Sequence, residues 1–254
     1  MTDSLVGVQH DGGVRTLTLD SPHNRNALSA RLLEELEQAL RDATTDAAVR
    51  AVVITGSGTV FCSGADLSER GSAAPNRMPD ILTMMVESAV PVIARVNGHA
   101  RAGGLGLIAA ADIAAAPEKS TFAFTEVRVG VAPAMILVPA LRVIDRRFLA
   151  RMTLTGERFG AHDAMAAGLL SAVTADGEGT LDEWVAEQTT AIRQAAPGAV
   201  RATKGLLRDL PGLEWDASLT AAAALSAELF AGAEAAEGME AFLQKRRPSW
   251  DTTE

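Results

Sequence analysis

GHARAGGLGLIAAADI, residues 98–113, decides how the rest of the chain is read. Four of its sixteen residues are glycine, and it follows the apolar run PVIARVN, residues 91–97. Glycines at a helix entrance have two physical uses. They let a helix pack closely on a strand. They also leave backbone N–H groups open to an anion or a developing oxyanion, because the first N–H groups of a helix lack partners inside it. Glycine alone does not choose between the two.

A third reading fails on context. Gly104, Gly106 and Ala109 spell G-x-G-x-x-A after an expected strand, as in a dinucleotide fingerprint. That fingerprint belongs in the first βαβ unit, with an acid closing the second strand. Here it lies past residue 100, and the next strand, DIAAAP, runs into Glu118 too early. Short-chain dehydrogenases also need a catalytic tyrosine, and the chain has none.

Outward from residues 98–113 the pattern is strand–helix alternation, which predicts parallel βαβ layers. Towards the N-terminus, SLVGVQH and VRTLTLD read as strands around Asp11-Gly12-Gly13. Ser29 caps an expected helix with Leu32, Leu33, Leu36 and Leu40 on one face. AVVITG reads as a buried strand, GSGTVFCSGADL as a glycine-punctuated loop, and GSAAPNRMP (residues 71–79) as a mobile segment. From about residue 134 to 245 nearly everything reads as helix, interrupted at LLSAV.

Bulk composition narrows the function. At 254 residues with 48% hydrophobic content, the chain can bury one large core. A net charge of −9 argues against an extended basic face, so no nucleic-acid partner is expected. Cys62 is the single cysteine, which excludes an internal disulfide and a cysteine-built metal site. As a nucleophile it has no identifiable histidine partner, and a buried thiol is the commoner case. His23, His99 and His162 are dispersed without ligand spacing, so no metal is expected. The N-terminus lacks a basic-then-apolar leader, and no apolar run reaches the roughly 18–20 residues of a span. A cytoplasmic protein with no membrane partner is the expectation.

Five segments in register resemble the enoyl-CoA hydratase/isomerase (crotonase) superfamily. They are HNRNALS, TVFCSGADL, VNGHARAGGLGLIAAADIAAA, FAFTEVRVGVAP and the terminal AFLQKRRPSW. The local text is nearest to the methylglutaconyl-CoA hydratase-like branch. The resemblance implies an α/β crotonase (ClpP-like) spiral of ββα units over residues 1–195. A helical region for trimerisation would follow over residues 196–254, giving a homotrimer or hexamer.

It also implies a site. The N–H groups of Ala65 and Gly103 would form an oxyanion hole for the thioester oxygen of an acyl-CoA, each donor contributing on the order of 3 kcal/mol. Glu126 would carry the proton. The NRN loop, residues 24–26, with Arg25 as a phosphate contact, would line the CoA cleft together with Ser63, Gly64, Ala65, Asp66 and Leu67. Gly104 and Gly106 would line the substrate site. Phe242 and Lys245 match a pair that reaches CoA, often from a neighbouring subunit, although Phe242 equally fits a core contact. No cofactor is expected beyond the CoA of the substrate.

The chain departs from the family at one position. Hydratases of this kind use a second glutamate, and that position aligns with Gly106. Two carboxylates let one activate water while the other handles the proton at Cα. One suffices to move a proton between carbons, as in Δ3,Δ2-enoyl-CoA isomerases. Hydration of a 2-enoyl-CoA is the leading expectation; an isomerase using Glu126 alone and a weakly active acyl-CoA-binding paralogue are the alternatives. With no side chain at Gly106, a roomy pocket tolerant of branched acyl groups is expected. Ala134, eight residues past Glu126, is not an acid, which sets aside the dienoyl-CoA isomerases. Asp112 is expected to be structural.

Overall fold

The computed structural model describes residues 4–69, 74–177, 179–251 and 253. The chain opens with the antiparallel hairpin β1 (Val6–Asp11) and β2 (Val14–Leu19), followed by α1 (Ala30–Thr45). Ser29 caps α1 as expected, its hydroxyl accepting from the Leu32 N–H at 3.2 Å. The leucine stripe faces inward, with Leu32, Leu36 and Leu40 fully buried.

Next the chain lays down strands in pairs, each pair followed by a helix or turn. They are β3 (Ala51–Gly56) and β4 (Val60–Cys62) before α2 (Met78–Glu87), then β5 (Val92–Arg95) and β6 (His99–Arg101) before α3 (Gly103–Ala110). The third pair, β7 (Ile113–Pro117) and β8 (Thr121–Ala123), leads to a 3-10 turn at Glu126–Val129. The first strand of each pair joins a six-stranded sheet, order β1-β2-β3-β5-β7-β10, where β10 is Ala172–Thr174. The second joins a smaller sheet, order β4-β6-β8-β9, where β9 is Phe159–Gly160. The repeated step from large sheet to small sheet to helix produces a spiral.

The remaining helices are α4 (Leu137–Val143), α5 (Arg146–Thr155), α6 (Ala161–Ala166), α7 (Thr180–Gln194), α8 (Pro197–Asp209), α9 (Trp215–Phe230) and α10 (Ala233–Leu243). All six residues of β3 are buried, because the large sheet is covered on both faces. Leu32, Ile54 and Ile81 belong to the main core on one face, and Leu181 and Val185 of α7 cover Val53 and Ile93 on the other.

Two sequence readings need correction. The loop expected over GSGTVFCSGADL contains β4, which pairs in parallel with β6. The helical stretch expected beyond residue 134 also contains β9, antiparallel to β8. In the segment read as mobile, residues 71–73 lie outside the described residues, and Met78 and Pro79 open α2.

Candidate active site

Three neighbouring parallel strands of the small sheet, β4, β6 and β8, deliver three sequence-expected residues at their C-terminal ends. Ala65 lies three residues past β4, Gly103 two past β6, and Glu126 three past β8. The C-terminal ends of parallel strands are where α/β proteins bind ligands.

The direction of the Ala65 N–H follows from strand pairing. Leu28 bridges Ala65 in parallel fashion. The Leu28 N–H donates to the Gly64 carbonyl at 2.8 Å, and the Leu28 carbonyl accepts from the Asp66 N–H at 3.3 Å. In a parallel pair the residue between two such bonds turns its own N–H to the other side. The Ala65 N–H therefore faces away from Leu28 and has no protein acceptor among the described residues. Gly103 opens α3, and its N–H is likewise without an acceptor there.

Close packing holds the two donors together. Gly64 has φ +93°, and a Cβ built on it would lie 2.7 Å from the Ala102 Cβ. Only glycine meets both conditions. Ala102, just before α3, adopts φ 47° and ψ −119°, a conformation unfavourable for an L-residue. Its N–H donates to the Ala123 carbonyl at 3.0 Å, fixing the start of α3 to the end of β8. A Cβ on Gly103 would lie 2.7 Å from Leu28 Cδ1 and 4.0 Å from Gly64 Cα.

Glu126 begins the 3-10 turn, which Gly130 closes at φ 82°. One carboxylate oxygen, Oε2, is buried and has no hydrogen-bond partner among the described residues. Burial pushes the carboxyl above the ordinary range, opposed by a hydrogen bond from its own backbone N–H. A half-buried carboxylate with an open oxygen is equipped to take up and return a proton.

The CoA strip is brought together, with one correction. The Ser63 N–H donates to the Arg25 carbonyl at 3.1 Å, and the Ser63 hydroxyl to the Asn24 carbonyl at 3.2 Å. Arg25 is exposed at φ 58°. Asp66 accepts from the Ser68 hydroxyl at 2.6 Å, the main cause of its lowered pKa, and so holds the turn Leu67–Glu69, in which Leu67 is exposed. Asn26, expected in the cleft, is fully buried and bonds the Ser21 N–H and the Ser57 and Val60 carbonyls. Its amide is consumed in fixing the loop to β4.

The glycines of α3 are crowded. A Cβ on Gly104 would lie 2.8 Å from Cys62 Cβ, so this glycine lets α3 approach β4. A Cβ on Gly106 would lie 2.5 Å from Ile136 Cγ2 and 3.2 Å from Met78 Cε. The roomy pocket expected from the missing side chain is thus corrected, because Ile136 fills the space. Cys62 is buried, and its thiol is pushed up to about 12, which removes it as a nucleophile.

Phe242 and Lys245 stand apart, at and beyond the end of α10. Phe242 is 84% exposed, so the core-contact reading is corrected. Asp112 accepts from the Val92 N–H and from Lys204 Nζ, both at 2.7 Å. The buried Lys204 also donates to the Met85 carbonyl, which clamps α8 to α2. No sequence pattern marked Lys204 or Ile136. Among the described residues no cluster of His, Cys, Asp or Glu could hold a metal ion, and no helix is long and apolar enough to cross a membrane.

A two-sheet spiral with its site at the ends of the small sheet's parallel strands is the crotonase fold. A crystal structure of enoyl-CoA hydratase from Mycobacterium smegmatis superposes with a TM-score of 0.91 at 33% identity, covering 98% of this chain and 100% of that one. The family model for enoyl-CoA hydratase/isomerase matches residues 9–253. Enoyl-CoA hydratase domain-containing protein 3, mitochondrial, of Danio rerio is 34% identical over 261 aligned residues, with 100% of this chain and 90% of that protein covered. The 2,3-dehydroadipyl-CoA hydratase of Escherichia coli (strain K12) is 32% identical over 256 residues, covering 98% and 99%. The chain belongs to the enoyl-CoA hydratase/isomerase family.

Proposed function

We propose that this chain acts on an acyl-CoA thioester through an enolate, and that its reaction is the syn addition of water to a 2-enoyl-CoA. The observation that carries this reading is that two unpartnered N–H groups and a carboxylate that burial makes more basic stand just past the C-terminal ends of three neighbouring parallel strands. The thioester oxygen accepts from the Ala65 and Gly103 N–H groups. Glu126 takes a proton from water as the water oxygen bonds C3. The π electrons of C2=C3 move to give the enolate, whose oxygen charge the two donors hold. Glu126 then returns the proton to C2 as the carbonyl re-forms. One water is added and the carboxylate is regenerated. That the relatives are named as hydratases supports hydration.

A second reading has its own observation. Ile136 stands where a second carboxylate would project, so Glu126 works without one beside α3. A lone carboxylate suffices to take a proton from C2 of a 3-enoyl-CoA and return it at C4. Arg25 and the strip Ser63–Leu67 are proposed to hold CoA, with Phe242 and Lys245 contributed from a neighbouring subunit. Trp215, Phe230, Phe242 and Leu243, each at least 70% exposed, support a trimer or hexamer in which α9 and α10 are covered.

The test uses purified protein with 2-enoyl- and 3-enoyl-CoA thioesters. Absorbance of the conjugated thioester falls on hydration and rises on isomerisation. A paralogue that binds without turnover shows calorimetric binding of a saturated acyl-CoA and no absorbance change. Absence of both signals overturns the reading.

A further inference from the structure

We infer that Arg101 is a positioning residue: its guanidinium fastens β8 to β6 and thereby holds the Gly103 donor and the Glu126 carboxylate in register. This rests on the enolate reading above. Backbone pairing between the two strands is short, Ala100 with Phe122 and Arg101 with Ala123. β6 leads into Gly103 and β8 leads to Glu126. A slip between these strands therefore moves the N–H that holds the enolate relative to the group that carries the proton.

Side chains of β6 extend the short pairing. His99 and Arg101 are two residues apart, so they lie on one face of the strand. Both reach Thr121, the first residue of β8. Arg101 Nη1 donates to the Thr121 carbonyl at 2.5 Å and to the Ala100 carbonyl at 2.7 Å, and Nη2 donates to the Thr121 hydroxyl at 2.8 Å. The Thr121 N–H donates to His99 Nδ1 at 3.2 Å, and the Thr121 hydroxyl lies 3.1 Å from the same nitrogen. Every polar group of Thr121 is thus held from β6. The Ala102 N–H holds the far end of β8 through the Ala123 carbonyl. The guanidinium is costly to keep here. Burial and the charge of Arg158 both push its pKa down, and no carboxylate among the described residues offsets them. Its contribution is the planar fork, which bonds two oxygens of one residue at once.

The experiment measures turnover of the enoyl-CoA and calorimetric binding of saturated butanoyl-CoA on wild type, Arg101→Met, Arg101→Lys and Thr121→Val. Calorimetric stoichiometry counts binding-competent sites, so kcat is expressed per competent site. A displacement of about 1 Å can cost on the order of 100-fold in rate. Arg101→Met is expected to lower kcat per competent site by about 10- to 100-fold while butanoyl-CoA affinity is largely kept. Arg101→Lys, with a point donor in place of the fork, should recover part of that loss. Thr121→Val, which keeps the carbonyl, should lose less than Arg101→Met. A merely structural role lowers Tm and the number of competent sites but leaves kcat per site unchanged. That result overturns the inference and leaves the enolate reading standing. If Arg101→Met does not fold, kcat per site in Arg101→Lys and Thr121→Val decides, and wild-type values in both overturn the inference. Wild type that turns over neither a 2-enoyl- nor a 3-enoyl-CoA overturns the enolate reading and the inference with it.

Discussion

Replacing Glu126 by glutamine separates its chemistry from its cost to stability. The side chain keeps its shape and loses its titratable proton. A positioned acid/base group contributes about 10²- to 10⁴-fold, or roughly 2.7–5.5 kcal/mol of barrier. We expect Glu126→Gln to lower kcat on the turned-over enoyl-CoA by about 100-fold or more, with affinity for a saturated acyl-CoA largely kept. Stability moves the other way. Burial raises the folded carboxyl above its ordinary 4.5, so the unfolded chain ionises first. Between 4.5 and the raised value the unfolded state therefore binds fewer protons, and stability falls as pH rises through that window. Above it the deficit is constant; below it the deficit vanishes. The glutamine variant should thus melt at or above the wild type at pH 7, with the difference closing as pH is lowered past 4.5. The wild-type rate should lose activity on its acid side above the ordinary carboxylate range, and that limb should disappear in the variant's residual activity. Thermal melts across pH and stopped assays on both proteins read these outcomes. Unchanged kcat, or a variant less stable than wild type at pH 7, refutes the reasoning, because Glu126 would then be held by contacts rather than left open for a proton.

Two further outcomes concern the scaffold. Lys204→Met removes a buried ammonium bonded to Asp112 and to the Met85 and Val90 carbonyls at 2.7, 2.8 and 3.1 Å. The loss should be about 3 kcal/mol, at the low end for a broken buried pair because the Asp112 side chain is 29% exposed. An apparent Tm lowered by roughly 6–12 °C is expected, and an unchanged melt contradicts it. Ala102→Gly relieves the φ 47° conformation and should gain about 1 kcal/mol, raising Tm by roughly 2–4 °C. A lower Tm would show that the Ala102 methyl against Gly64 outweighs the strain.

The large sheet and α1 were legible because their signals are local. The hairpin around Gly12-Gly13, the leucine stripe and the Ser29 cap each need only a few neighbouring residues. The small sheet was harder: β4, β6 and β8 have three residues each and β9 has two, too few for alternation to register. Its strands exist through pairings between distant segments, yet this sheet presents Ala65, Gly103 and Glu126 together. Motif order identified those three residues, whereas strand pairing explains why the Ala65 N–H is free. Asn26 was misplaced and Lys204 went unmarked for a common reason. Both are polar groups whose burial depends on carbonyls supplied by other elements, Ser57 and Val60 for one, Met85 and Val90 for the other.

Gly106 shows the limit most clearly. A glycine in a sequence records a missing side chain and says nothing of what occupies the place. Protein interiors are close-packed, so an unfilled side-chain volume beside a buried helix is the exception. Here Ile136 enters from thirty residues further along the chain and occupies that volume. The substitution of an apolar wall for a carboxylate then constrains the chemistry. A second water activator on α3 has no room, and any added carboxylate at residue 106 must first displace Ile136.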